Sequence, residues 1–429
     1  MDPQPPRCSG ADPNPGWTSA PWANVHHPSL EVRQDVPGNP AATGTMPPPP
    51  PRFGDTSNQL HERWAPNAST SDAAIHAALA PVGWRSYFTD AFDLQTQNDD
   101  VFRVYTRIGG EGEGTTDGGN TDGETEKKSN ASNKTIVLFA HGCGYTGLSW
   151  ACTIGLLAGK VSGDMLLAAF DARGHGETKT ASNGDSTEVD FSADRLARDV
   201  LDVSSALVKS ITVPRTSNKQ SFKPVNVVFV GHSMGGAAVA RAANVFGAGV
   251  SGTTDDSGRD NPGINDKLFT LSGVVVVDVV EGTAMESLPF MEAGLSRIPT
   301  SFDTMQTAIK WTMKSGFTTS LESAKVSTPS RLFFNAENDG GSYEWRTNVA
   351  ATAKDWRSWF LGLSQIFLTA KCAKLLLLAG TDRLDNPLTI AQMQGKFQLV
   401  VLPKAGHAVH EDDPEKVAIA IAGFLKRYV

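Results

Sequence analysis

Cysteine is scarce, with four in 429 residues, at positions 8, 143, 152 and 372. So few in so long a chain make no disulfide framework, and their spacing is that of neither a zinc site nor a redox pair. Long apolar runs are also missing. The longest, such as Val274–Val277 and Leu375–Ala379, are strand-sized, far short of the roughly 20 residues a membrane-spanning helix needs. The amino terminus, MDPQPPRCSGADPNP, has no apolar segment of the kind a secretion signal carries. Positive charge is not in excess either: the formal net charge is −8. No basic patch emerges to neutralise phosphates, which argues against a nucleic-acid partner. These absences lead to the expectation of a reduced, intracellular protein, cytoplasmic and/or nuclear, without a membrane anchor. In that setting the sequons at Asn67, Asn130 and Asn133 are silent. Lys127-Lys128 is too short to read as a nuclear signal.

What is present divides the chain in two. Residues 1–78 are rich in Pro, Gly, Asn, Ser and Asp and contain the run Pro47–Pro51. They cannot bury enough apolar surface to offset the entropy of ordering, so a disordered extension is expected there. Residues 79–429 read as one α/β domain, interrupted by hydrophilic insertions at about 109–133 and 249–266. Phe92–Leu94 and Val101–Ile108 read as antiparallel strands. Thr135–Ala140, Met165–Phe170, Val225–Val230, Val274–Val280, Lys374–Ala379 and Phe397–Leu402 read as strands separated by helices. Leu196, Val200, Val203 and Leu207 share one face of a helix from Ser192 to Lys209. Asp413-Pro414 opens a closing helix that buries Val417, Ile421 and Phe424. This alternation predicts a mostly parallel central sheet flanked by helices. Residues 284–370 show helical patterns and no clear strand, with Trp311, Trp345, Trp356 and Trp359, and read as a helical cap inserted over the site.

The chemistry centres on Gly231-His232-Ser233-Met234-Gly235. A strand precedes this Gly-x-Ser-x-Gly and a small-residue helix follows, the context in which the motif presents a nucleophilic serine in the α/β-hydrolase fold. Chain order in that fold is serine, acid, histidine. His407, in Pro403-Lys404-Ala405-Gly406-His407 after the last strand, is therefore the expected base, ahead of His410 and His175. His232, inside the motif, is expected to pack rather than to transfer protons. Two aspartates compete for the acid. Asp382 follows the penultimate strand, the commoner location, and Asp278 ends the strand after the serine unit. The oxyanion donors are expected to be the main-chain N–H groups of Met234 and of Cys143, in His141-Gly142-Cys143-Gly144. Nothing in this chemistry needs a metal or an organic cofactor.

Several segments are more specific than any hydrolase motif. They are His141–Tyr145 leading to Leu148-Ser149-Trp150, Gly174–Lys179, GHSMGGA at 231–237 and Val277–Met285 (VDVVEGTAM). To these add WTMKSG at 311–316, WRSWFLGL at 356–363, LLLLAGTDRL at 375–384, LTIAQMQGKF at 388–397 and GHAVHED at 406–412. On these segments, spanning roughly residues 80–429, the chain resembles the protein phosphatase methylesterases. The resemblance implies an esterase that removes the methyl ester from the C-terminal leucine of the type 2A protein phosphatase catalytic subunit and also binds that subunit. It carries the nucleophile onto Ser233, the base onto His407 and the acid onto Asp278. Cys143 stands where the family usually has glycine, and the acidic cap insert of some relatives is shortened here to about Arg331–Gly341. Two other readings use the same residues: a small-molecule esterase or lipase of this fold, and a phosphatase-binding regulator whose catalysis is secondary. Trp311, Trp356 and Trp359 either line a substrate groove or pack the cap.

Overall fold

The computed structural model describes residues 77–110, 135–180, 188–212, 224–247, 268–337 and 340–429. The low-complexity extension, apart from its last two residues, and nearly all of both hydrophilic insertions lie outside the described residues. The chain enters through β1 (Asp90–Gln95) and β2 (Val101–Ile108), which pair antiparallel as expected. It continues through β3 (Thr135–Ala140), α1 (Ala151–Ala158), β4 (Met165–Phe170), α2 (Ala193–Ile211), β5 (Val225–His232), α3 (Met234–Gly247) and β6 (Phe269–Val277). The capping segment follows, with α4 (Glu281–Leu295), β7 (Ser301–Phe302), α5 (Met305–Lys314), α6 (Leu321–Ser330), β8 (Leu332–Asn335), β9 (Ser342–Trp345), α7 (Trp356–Phe360) and α8 (Leu363–Thr369). The domain closes with β10 (Ala373–Leu378), α9 (Asn386–Met393), β11 (Gln398–Val401), α10 (Val409–Asp412) and α11 (Pro414–Tyr428).

Eight strands form one sheet in the order β1-β2-β4-β3-β5-β6-β10-β11. From β4 to β11 every pairing is parallel, while β2 runs antiparallel to both of its neighbours. Parallel sheets need both faces covered, and the strand sequences meet that need. In β5, Val227 and Phe229 join the core beneath α2 and α3, whereas Val228 and Val230 join the opposite core beneath α1 and α11. Burial of every residue of β3 follows from the same two-sided packing. Side-chain caps fix the starts of several helices. Ser192 caps α2 by accepting from the Arg195 N–H, and Asp413 caps α11 with Pro414 in the first turn.

Two expectations need correction. Strand β6 begins earlier than expected and stops at Val277 rather than Val280, because Asp278 turns out of the strand with φ 50°. The segment from 284 to 370 is also not wholly helical: β7, β9 and β8 form a small antiparallel sheet in that order. Its strands are only two to four residues long, too short for an alternating pattern to register against the surrounding helical periodicity.

Candidate active site

The sheet delivers its functional residues at the carboxyl ends of neighbouring strands, where open α/β sheets bind ligands. Ser233 follows β5 with φ 53°, and its N–H donates to Val277 O on β6 at 3.1 Å. The tight turn leaves no room for side chains on the two flanking residues. A Cβ on Gly231 would lie 2.2 Å from Gly235 O, and one on Gly235 would lie 2.5 Å from Ala140 O. Only glycine at both places lets α3 begin directly against β3 and β5. Across Gly231–Ala240, Ser233 is the one residue that is not buried.

His407 stands on the loop after β11, in a wall of the same pocket as Ser233. Its Nδ1–H donates to Asp278 Oδ2 at 2.9 Å. Asp278 is buried, and its other oxygen accepts the Ala379 N–H at 2.9 Å. Burial works to raise this carboxyl. The charge of Arg383 and the His407 hydrogen bond outweigh it and hold the group below its ordinary value. Asp382, the rival acid, is exposed in the turn after β10 and makes no hydrogen bond to His407; its neighbour Arg383 reaches Asp278 instead. Asp412 positions the His407 loop by accepting the Gly406 N–H at 2.7 Å and the Thr319 N–H at 2.7 Å. Among the described residues no hydrogen bond joins Ser233 Oγ to the His407 ring. Such contacts are often long in unliganded sites and tighten around substrate.

The loop carrying Cys143 is held from three sides. His175 Nδ1–H donates to Arg173 O at 2.8 Å, which leaves Nε2 to accept the Gly144 N–H at 3.0 Å. Asp171 accepts the Gly147 N–H at 2.7 Å, and Arg331 donates to Gly144 O at 2.8 Å from the cap. Burial pushes His175 down to about 4, so the ring stays neutral and keeps its acceptor. Neither the Cys143 nor the Met234 main-chain N–H donates to another described residue. The Cys143 thiol is raised to about 11 by burial and rests 3.5 Å from Thr352 Oγ1. A nucleophilic cysteine needs a depressed value instead.

His232 packs, as expected. Its Nε2–H donates to His407 O at 2.9 Å, and burial followed by the charge of His407 pushes the ring down to about 3. His410 is wholly buried between Trp150, at 4.1 Å between ring centres, and His232, at 4.5 Å. It packs behind the site and does not reach the serine pocket.

The pocket is narrow and partly open to solvent, and is lined by Cys143, Tyr145, Ser233, Met291, Val349, Trp356, Trp359, Phe360 and His407. Apart from the serine, histidine and cysteine its walls are apolar or aromatic. Trp356 and Trp359 both pack and line: each is about 1% exposed, and their indole N–H groups bond Thr352 Oγ1 and Phe191 O. Trp311 is set apart, against Phe302, Phe317 and Trp345. Sequence reasoning gave no role to Arg331, Arg383 or Asp412, and it weighed His175 only as a remote rival for the base. Arg383 and Asp412 lie within recognised segments, but neither an arginine nor a lone aspartate carries a spacing signal of its own.

A mostly parallel sheet with a serine elbow after β5, an aspartate after the neighbouring β6 and a histidine bonded to it from the loop after β11 defines an α/β hydrolase. The model of the Alpha/beta hydrolase family matches residues 137–420. E-2-(acetamidomethylene)succinate hydrolase shares the fold, with a TM-score of 0.53 and 17% identity over 79% of this chain and 99% of that one. Protein phosphatase methylesterase 1 of Bos taurus is 33% identical over 423 residues, covering 89% of this chain and 93% of that protein. Protein phosphatase methylesterase 1 of Cryptococcus neoformans var. neoformans serotype D (strain B-3501A) is 36% identical over 361 residues, covering 81% and 78%. The chain belongs to the protein phosphatase methylesterase family.

Proposed function

We propose that this chain is a serine esterase that removes the methyl ester from the C-terminal leucine of the type 2A protein phosphatase catalytic subunit, which it also binds. The observation that carries the reading is the meeting of Ser233 and the Asp278-bound His407 in one apolar pocket, in a chain whose relatives are named protein phosphatase methylesterase 1. Asp278 fixes the His407 tautomer, so Nε2 is the nitrogen left to take the Ser233 proton. Ser233 Oγ bonds to the ester carbonyl carbon, and the carbonyl oxygen becomes an oxyanion between the N–H groups of Met234 and Cys143. The C–O bond to the methyl group's oxygen then breaks, His407 returns the proton, and methanol leaves. Water, deprotonated by His407, releases the carboxylate from Ser233. Asp278, buried and ionised, stabilises the imidazolium in both halves.

The apolar walls suit a leucine side chain beside a small alkyl ester, and affinity for the rest of the phosphatase falls to the surface around the cap. No helix among the described residues is long and apolar enough to cross a membrane. We place the enzyme inside the cell, in the cytoplasm, the nucleus or both, where its substrate would be met. We further read residues 79–429 as one hydrolase domain whose cap, residues 284–370, includes the small sheet.

The test is methanol release from carboxymethylated phosphatase catalytic subunit by the wild type and by Ser233→Ala. Release by the first and none by the second is expected. Hydrolysis of simple esters with no release from the phosphatase would move the assignment to a small-molecule esterase. A Ser233→Ala protein that still forms a stable complex would show that binding is separable from turnover.

A further inference from the structure

Asp278 Oδ2 has two partners. His407 Nδ1 lies 2.9 Å from it, and Arg383 Nη1 lies 2.7 Å from it. The carboxylate itself is fully enclosed, while the Arg383 side chain is 24% exposed. Arg383 ends the short turn Thr381–Arg383 after β10, the place at which the sequence offered Asp382 as the rival acid. That turn therefore supplies the site with a cation rather than an anion.

A hydrogen-bonded oxygen shared between a fixed positive charge and an imidazole is a poorer acceptor for each than it would be for one alone. The guanidinium stays charged at any working pH. It keeps the buried carboxyl ionised, yet it opposes a second positive charge on the same oxygen, and such a charge is what His407 acquires when it takes a proton. The other titratable groups near this pair are His232, whose ring centre is 4.7 Å from that of His407, His410 behind it, Cys143 and Tyr145 in the same pocket wall, and Asp412, which accepts the Gly406 N–H beside His407. Burial holds the His232 and His410 rings neutral. Asp278 and Arg383 are the charged groups that share an oxygen with the His407 ring.

We propose that Arg383 is a positioning residue for the esterase site, sharing Asp278 Oδ2 with His407 and so setting how strongly the aspartate supports a positively charged ring. The inference rests on the roles given above to Ser233, His407 and Asp278.

The experiment compares full-length wild type, Arg383→Gln, Arg383→Met and Arg383→Lys. The rate constant kcat/KM for p-nitrophenyl acetate is followed from pH 5 to 9. Removing the charge is expected to move the acid limb to higher pH by roughly one unit, a tenfold change in the proton concentration at half-maximal rate. Arg383→Lys, which restores a cation, keeps its limb near that of the wild type. A limb in Arg383→Gln and Arg383→Met that coincides with the wild type overturns the proposal, whether the plateau is high or low, because lost packing alone lowers the plateau without moving the limb. If one neutral variant fails to fold, the other decides. If the wild type hydrolyses no ester at all, the esterase reading fails on its own. The proton NMR titration of the His407 ring, assigned with His407→Gln, then shows by a shift or its absence in the neutral variants whether Arg383 acts on it.

Discussion

Ser233 and Asp278 occupy matching positions one residue beyond adjacent parallel strands, and both hold left-handed backbone, at φ 53° and 50°. They are tied through the strand end, since Ser233 N–H donates to Val277 O, one residue before Asp278. Non-glycine residues adopt this conformation at a cost of about 1–3 kcal/mol each, and they persist where surrounding contacts fix them. The two turns lift a hydroxyl and a carboxylate out of neighbouring strands towards one histidine.

This geometry separates the two candidate acids. Asp278→Asn removes the acceptor that fixes the His407 tautomer and is expected to lower kcat by roughly 10³- to 10⁴-fold. Asp382→Asn, in an exposed turn, is expected to stay close to the wild type. Steady-state hydrolysis of an activated ester by the two purified variants is the check. The reverse ranking would move the acid to the turn after β10.

The oxyanion loop gives a second contrast. A Cβ on Gly142 would lie 2.7 Å from His232 Nδ1 and 3.2 Å from Ser233 Cβ, so Gly142→Ala pushes the loop away from the serine. A displacement of this kind is expected to cost about 10²-fold in kcat. Cys143→Gly removes only a thiol that plays no chemical part, and it should keep most of the activity. Loss of activity in Cys143→Gly equal to that in Gly142→Ala would mean that the sulfur, not the main chain, matters there.

Among the cap tryptophans, position decides the effect. Trp356 bonds Thr352 and walls the pocket, whereas Trp311 packs with Phe302, Phe317 and Trp345 away from it. Trp356→Phe is expected to raise KM for the methylated phosphatase, while Trp311→Phe lowers the thermal midpoint and leaves KM unchanged. Kinetics paired with thermal unfolding would show the split, and an unchanged KM in Trp356→Phe would remove that residue from substrate contact.

The sheet was legible in the sequence because buried parallel strands are written as continuous apolar runs, and Thr135–Ala140 and Val225–Val230 fall within a few residues of β3 and β5. The serine was legible because two glycines, a strand and a helix must coincide to make the elbow. The histidine was legible because Gly406-His407 follows the last strand. The acid was not settled by position alone: both aspartates follow strands, and only the left-handed turn at Asp278 aims one of them at His407. Arg383 and Arg331 were invisible for a related reason. Their partners, Asp278 and Gly144 O, are 105 and 187 residues away in the chain, joined only by the fold.

The buried carboxyl of Glu411 gives a pH-dependent test of the region behind the site. Burial pushes the group up to about 8, and the charge of Arg331 and the nearby hydroxyls of Ser327 and Thr318 offset this only in part, neither oxygen making a well-formed hydrogen bond among the described residues. The unfolded chain releases this proton near the ordinary glutamate value, about 4.3, whereas the folded chain keeps it until about pH 8. Between those limits the folded state binds more protons than the unfolded state, so stability falls as pH rises, by about 1.4 kcal/mol per unit for this one group. Glu411→Gln keeps the shape and removes the titration. Its stability relative to the wild type is therefore expected to grow steadily from pH 5 to pH 8, reaching on the order of 3–5 kcal/mol. The buried neutral histidines act in the opposite sense below their ordinary value of about 6.5, but they are common to both proteins and cancel in the difference. Urea unfolding of both at pH 5, 6, 7 and 8 measures it. Parallel stability curves would show that Glu411 is ionised in the folded chain and held by Arg331, and that the buried layer carries a salt bridge rather than a neutral acid.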